Sequence, residues 1–392
     1  MKGAVGGPKE TPTVRKLSDT ISRLAAMRDK LSQAMPAPGQ DRLRDLIHVG
    51  SNPGALRARI HVPDDLPGGA PLVVVLHGCT QTAAAYDHGS GWSTLADRHG
   101  FVVLFPEQSV ANNMNRCFNW FQPEDTRRDG GEALSIRQMV AAAVEAHDLD
   151  ESRVFVTGLS AGGAMTSVML ATYPEVFAGG AIIAGLPYGS ATNVSQAMDR
   201  MRGHGGSDED ALTALLQSAS DHDGPWPRVS VWHGSADRTV VHANAAQIVA
   251  QWRLVHGVGR APTHSEMVDG QRRDVWCDAA GVPVIESITV ADMAHGTPLD
   301  PTGEDGVGES GPYMIDSGIS STVHIAAFWG LLAEAELDEP ADAPAPRPAP
   351  EVKRAILQPT PAAEAPRPAA ASAPTGVQQV IEDALRAAGL MR

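Results

Sequence analysis

The stretch Arg153-Val154-Phe155-Val156-Thr157-Gly158-Leu159-Ser160-Ala161-Gly162-Gly163 constrains this chain more than any other. Its first half reads as a buried strand of β-branched and aromatic residues. It runs into Gly-x-Ser-x-Gly and then into Ala164-Met165-Thr166-Ser167-Val168-Met169-Leu170, a good helix former. Strand, sharp turn and helix in that order are the context a nucleophile elbow requires. The turn holds its central residue in a strained conformation, so the flanking positions must lack side chains, and Gly158, Gly162 and Gly163 meet that need. Ser160 would then stand at a helix N-terminus.

The elbow needs a sheet to carry it, and the chain is long enough to build one. With 392 residues and 43% hydrophobic content it can form one large domain with extensions, or two domains. No apolar run reaches the length of a membrane span. A net charge of −15 disfavours wholesale phosphate binding, so nucleic acid is not an expected partner. The first residues lack the apolar core of a secretory signal, which taken plainly reads as cytoplasmic. Three cysteines, Cys79, Cys117 and Cys277, lack zinc-ligand spacing, and no motif calls for a metal or another cofactor. All three read as reduced core residues, or Cys79 and Cys117 form one bridge; their spacing leaves both open.

Four segments are expected: residues 1–36, 43–337, 338–375 and 376–392. Residues 10–33 carry Leu17, Ile21, Leu24, Ala25 and Leu31 at helical spacing and predict an amphipathic helix that packs on the main domain or a neighbouring subunit. Residues 46–49 and 56–62, flanking a Gly/Pro-rich loop, predict a hairpin. Residues 72–76 form a continuous apolar run, a strand covered on both faces. A helix over 91–99, a strand over 101–105 stopped by Pro106, a polar aromatic loop over 112–128 and a helix over 132–147 lead into the elbow. Beyond it come a strand over 178–184, an insertion over 186–227 where a cap could sit, a strand over 229–232 and a helix over 243–255. Strands follow at 264–268, 273–277 and 284–290, then a helix over 321–336. Strands alternating with helices over this length predict an α/β architecture with a mostly parallel, doubly wound sheet. Residues 338–375 shift to a Pro/Ala-rich linker, and 376–392 predict a short amphipathic helix that would dock on this chain or another.

A serine hydroxyl is a weak nucleophile and needs a general base oriented by a carboxylate. On an open sheet the partners lie after later strands, in the order serine, acid, histidine. Asp237 directly follows the strand over 229–232 in the small-residue loop Gly234-Ser235-Ala236, and His295 follows the last clear strand. Asp221 and Asp223 precede their strand, and Asp292 fits as a loop residue beside His295. Among rival bases, His233 and His242 flank the acid and His324 sits within a helix. Two N–H donors are needed for the oxyanion. Ala161, next after Ser160, supplies one, and Cys79, after His77-Gly78, the other. Nothing near Cys79 in sequence suggests a base that would make it a nucleophile. Trp120 and Phe121 are candidates for the substrate cleft; Trp92 fits ordinary packing equally well.

Five segments together are specific: Leu76-His77-Gly78-Cys79-Thr80-Gln81, Asn115-Arg116-Cys117-Phe118-Asn119-Trp120-Phe121, Gly158-Leu159-Ser160-Ala161-Gly162-Gly163-Ala164-Met165, His233-Gly234-Ser235-Ala236-Asp237 and Met293-Ala294-His295-Gly296. In this order, over roughly residues 45–335, they resemble the poly(3-hydroxybutyrate) depolymerase family of α/β-hydrolase esterases, whose relatives include feruloyl and acetylxylan esterases. The resemblance implies the α/β-hydrolase fold, the triad Ser160, Asp237 and His295, a Cys79–Cys117 disulfide, an ester substrate and no cofactor. Members of the family are often secreted, which conflicts with the cytoplasmic reading of the N-terminus. Two functions follow as expectations: a serine carboxylesterase acting on hydroxyalkanoate esters or on feruloyl, acetylxylan or short-chain esters, and a non-catalytic relative that contacts polyester granules, or its own copies, through its terminal helices.

Overall fold

The computed structural model describes residues 41–332, except 48, 304 and 305. The helix predicted over 10–33, the linker over 338–375 and the helix over 376–392 lie outside these residues.

In chain order the elements are β1 (Arg44–Asp45), β2 (Arg57–His61), β3 (Leu72–Leu76), α1 (Ala83–Ser90), α2 (Trp92–His99), β4 (Val102–Glu107), α3 (Pro123–Thr126), α4 (Gly131–His147), β5 (Val154–Leu159), α5 (Ala161–Thr172) and β6 (Gly179–Ile183). There follow α6 (Val194–Met201), α7 (Glu209–Gln217), β7 (Arg228–Gly234), α8 (Ala243–Arg253), β8 (His264–Val268), β9 (Gln271–Cys277), β10 (Pro283–Val290), β11 (Thr297–Leu299), β12 (Met314–Asp316) and α9 (Ser321–Phe328). Ten strands form one sheet in the order β1-β2-β4-β3-β5-β6-β7-β10-β9-β8. From β4 to β10 neighbours run parallel, and the sheet ends in antiparallel pairs on both sides.

The parallel strands need cover on both faces, and β3 shows it: all five side chains of Leu-Val-Val-Val-Leu are buried, although they alternate between faces. Burial of each such side chain contributes about 1.5–3 kcal/mol. The helix α5 packs on β3, β5 and β6, and every one of its residues is buried. It carries no charged side chain, and its buried hydroxyls on Thr166, Ser167 and Thr172 donate to the main-chain oxygens of Gly162, Leu186 and Val168, as a helix enclosed by the core requires. The chain winds from β3 outward to β4, then crosses back to place β5 on the other side of β3. The β3/β5 boundary is therefore the switch point of the sheet, where an open α/β sheet leaves a crevice beyond its carboxyl ends.

Several predicted boundaries are corrected. The first strand of the hairpin is Arg44–Asp45, ahead of the predicted 46–49; Leu46 contributes one further bond, its N–H to Ala58 O at 2.9 Å. Pro106 does not stop its strand. It sits inside β4 opposite Ala58, and β3 has already left the pairing at Leu104, so the missing N–H falls where β4 has a neighbour on one side only. A helix, α1, precedes the one predicted over 91–99, and the final helix ends at Phe328, well before 336. The insertion over 186–227 docks α7 against α8, where the Gln251 side chain bonds Tyr188 N, Tyr188 O and Leu212 O.

Candidate active site

Ser160 sits between β5 and α5 with φ 58° and ψ −114°, a conformation that L-residues rarely adopt. The strain is held by packing that only glycine permits. A Cβ on Gly162 would lie 2.1 Å from Leu76 O and 2.6 Å from His77 O, and one on Gly158 2.5 Å from Gly162 O. The backbone of α5 thus presses directly on the end of β3. Ser160 N bonds Ile183 O at 2.9 Å, and the Ser160 hydroxyl makes no capping bond to its own helix.

Asp237 and His295 reach the same carboxyl edge from β7 and β10, which pair in parallel. Asp237 Oδ2 lies 2.7 Å from His295 Nδ1. Its Oδ1 accepts the N–H groups of Thr239 at 2.8 Å and Val240 at 3.0 Å. Burial alone would push this carboxyl up; the hydrogen bonds from His233 and His295 outweigh it and hold Asp237 well below the usual carboxylate range. An ionised Asp237 facing Nδ1 selects the tautomer with its proton there, leaving Nε2 as the acceptor. Two loops carry the pair, and they are welded together. Ser235 N bonds Val290 O at 2.9 Å, Ala236 N bonds Met293 O at 3.0 Å, and Ser235 Oγ takes the Asp292 N–H at 2.8 Å.

The loop after β3 is a tight turn from Gly78 to Gln81, closed by Gln81 N to Gly78 O at 3.3 Å. Thr80 stands at φ 66°, in the region a β-branched residue avoids. Three attachments hold it: Thr80 N to Asn115 O at 2.6 Å, Gly78 N to Gln81 Oε1 at 2.9 Å, and a disulfide between Cys79 and Cys117. Among the described residues, no acceptor takes a hydrogen bond from the N–H of Cys79 or of Ala161. The second is one of the orphan donors any helix N-terminus leaves.

Residues 62–275 match the family model described as Esterase PHB depolymerase. The chain belongs to that family. It is 47% identical over 292 residues to Poly(3-hydroxyalkanoate) depolymerase C of Paucimonas lemoignei, covering 74% of this chain and 70% of that one. It is 34% identical over 245 residues to a probable acetylxylan esterase A of Aspergillus clavatus, covering 61% and 78% respectively. Among solved structures, an acetyl xylan esterase from Aspergillus awamori aligns at a TM-score of 0.63 and 25% identity, over 74% of this chain and 99% of that one. The protein is a carboxylic ester hydrolase with the α/β-hydrolase fold.

In this esterase the rival acids and bases stand apart from the Asp237–His295 pair or behind it. Asp221 and Asp223 are exposed in the loop ahead of β7. His242 Nε2 lies 3.2 Å from Thr289 Oγ1, and His324 Nε2 2.7 Å from Asp269 Oδ2. His233 is behind the acid: its Nε2 is 2.8 Å from Val240 O and 3.5 Å from Asp237 Oδ2. Trp120 is buried and Phe121 partly so, their rings 5.4 Å apart edge to face. Trp92 is core, stacked on Trp329 at 6.0 Å.

The sequence reading missed a buried polar group under the aromatic loop. Glu132, in the first turn of α4, is 1% exposed. Its Oε1 accepts Gln108 Nε2 at 2.5 Å and Asn119 Nδ2 at 2.8 Å, and its Oε2 accepts Asn119 N at 2.9 Å. Gln108 Nε2 also reaches Cys117 O at 3.2 Å. Burial, reinforced by the Asp125 charge, pushes the Glu132 carboxyl up to about 8 against the pull of these donors. An acidic residue opening a predicted helix was the only signal, and it is a common one.

Proposed function

We propose that Ser160, His295 and Asp237 form the catalytic triad, with the N–H groups of Cys79 and Ala161 as the oxyanion donors. Ser160 Oγ attacks the ester carbonyl while His295 Nε2 takes its proton; the imidazolium is stabilised by Asp237, and its proton passes to the departing alcohol. Water then attacks the acyl-serine with His295 again as base. The observation that carries this reading is the 2.7 Å Asp237–His295 bond, on loops welded at the edge where a strained Ser160 opens α5. Two backbone donors left without protein acceptors support the oxyanion assignment, each worth about 2.7–4 kcal/mol in such a role. Trp120 and Phe121 belong to the wall of the cleft in this reading, through the loop that the disulfide ties to Cys79.

The substrate we infer is a hydroxyalkanoate ester, polymeric or oligomeric, on the strength of the 47% identity to a poly(3-hydroxyalkanoate) depolymerase. A second reading, an acetylated sugar, draws on the acetylxylan esterase relatives and the aligned acetyl xylan esterase structure. Two measurements test this. Ser160→Ala should abolish p-nitrophenyl butyrate hydrolysis in a folded protein, and turnover at the parental rate would refute the acyl-enzyme. Comparison of kcat/KM on hydroxybutyrate oligomers, feruloyl esters and acetylated xylo-oligosaccharides should favour the first; preference for the third would replace the substrate assignment. Contact with polyester granules or with a second copy through the terminal segments belongs to the same proposal: removal of residues 340–392 should weaken granule binding or change the oligomeric state, and no change in either would dismiss it.

A further inference from the structure

A buried imidazole with no part in the proposed proton transfers stands inside the loop after β3. His77 is 1% exposed, and its ring lies 5.0 Å from that of Phe118. The backbone N–H of Gln108 points at Nε2 from 3.1 Å, and Nδ1 lies 2.8 Å from Gly78 O. A backbone N–H only donates and a carbonyl only accepts. Both contacts are satisfied by one form of the ring, the neutral tautomer with its proton on Nδ1. Burial favours the neutral ring as well, lowering its pKa.

The acceptor of that proton matters. Gly78 O and the N–H of Cys79 belong to a single trans peptide unit, in which the two groups point in opposite directions. A donor that fixes the oxygen therefore fixes the direction of the hydrogen on the far side. Gln81 N also reaches Gly78 O, but at a longer 3.3 Å. A hydrogen bond at the oxygen polarises the amide too, strengthening its N–H as a donor by about 10–30%. Behind the ring, Gln108 is anchored by the buried Glu132 carboxyl.

We infer that His77 is a positioning residue for the oxyanion donor: its Nδ1–H, fixed in that tautomer by the Gln108 N–H, holds the Gly78–Cys79 peptide so that the Cys79 N–H faces the acyl centre at Ser160. The inference rests on the Cys79 assignment proposed above. His77 touches no reacting atom and acts through one peptide unit.

The test uses the full-length enzyme and soluble p-nitrophenyl butyrate. An asparagine amide N–H can stand near the place of Nδ1, and a glutamine amide oxygen near that of Nε2. His77→Asn thus keeps the donor to Gly78 and gives up the acceptor for Gln108; His77→Gln does the reverse. His77→Gln should lose kcat by about 10- to 100-fold with KM within about twofold, because the oxyanion contact strengthens in the transition state. His77→Asn should keep kcat within about fivefold of the parent. A role confined to stability would lower both melting temperatures and leave the two folded variants with the same kcat. Equal kcat in the pair, or loss confined to His77→Asn, overturns the inference. Should either variant fail to fold, the ring 15N shifts of His77 in the unmodified enzyme decide: an Nδ1–H tautomer supports the inference, and an Nε2–H tautomer or an imidazolium at neutral pH rejects it. Ser160→Ala separates the layers. If it abolishes turnover while the His77 pair is equal, only the role of His77 falls; if it does not, the acyl-enzyme reading falls first.

Discussion

Two buried carboxyl groups in this protein are pushed in opposite directions, and the difference lies in what faces them. Asp237 meets two imidazoles and two backbone N–H groups, so it is held ionised and stabilises the fold at pH values above its unfolded range, a contribution lost in acid. Burial pushes Glu132 up and the nearby Asp125 charge adds to it, while the amide N–H donors it meets lower it too little to offset either, so its pKa rises to about 8. Below the unfolded value both states of the protein hold its proton. From there up to about pH 8 the folded state keeps a proton that the unfolded chain gives up, so stability falls with rising pH across that window and levels off above it. Glu132→Gln removes this titration. In urea unfolding at pH 5 and pH 8.5, the parent should lose more stability between the two than the variant, by an amount on the order of a few kcal/mol. Parallel losses would mean that Glu132 is ionised throughout. None of this was legible in sequence. Gln108 is 24 residues from Glu132 and 31 from His77, and nothing in the local pattern of any of them announces a partner.

At the scale of elements, legibility followed how local the cause was. The elbow could be read because its strand, its glycines and its helix are contiguous, and the pairing of Asp237 with His295, which we propose as the triad partners, because each follows a strand. The Pro106 boundary could not, since tolerance of proline there depends on where β3 stops pairing. The weld between the acid loop and the base loop lay between these cases. Gly234 was legible as a small residue, yet its reason is a contact with residues near 293. A Cβ there would lie 2.2 Å from Met293 O and 2.8 Å from Ala294 O, both backbone atoms that cannot swing aside. Gly234→Ala should therefore part the loops that carry Asp237 and His295. The expected result is a kcat at least about tenfold lower, from displacement of the base by a fraction of an ångström, with a lowered melting temperature. Parental kcat in the variant would show that the loops can separate without cost to the Asp237–His295 geometry.

Over the whole molecule, the parallel centre of the sheet brings the carboxyl ends of β3, β5, β7 and β10 to one edge, and the disulfide is the covalent link at its switch point. The residues alone left Cys79 and Cys117 open between thiols and a bridge; the resemblance to polyester depolymerases implied the bridge, and the structure contains it. The link closes a loop of 38 residues that includes α1, α2 and β4. Chain-entropy reasoning assigns such a loop about 4 kcal/mol of stabilisation, through restriction of the unfolded ensemble. Its effect on activity is separable, because the proposed oxyanion donor is the backbone N–H of Cys79 and survives replacement of the side chain. The double variant Cys79→Ala/Cys117→Ala should lose about 2–4 kcal/mol in urea unfolding and retain measurable kcat, with the noncovalent attachments of Thr80 to Asn115 and His77 to Gly78 left to hold the turn. Unchanged stability would assign the bridge no role in folding. Complete loss of kcat at parental stability would show that those two attachments cannot hold the donor without the covalent link.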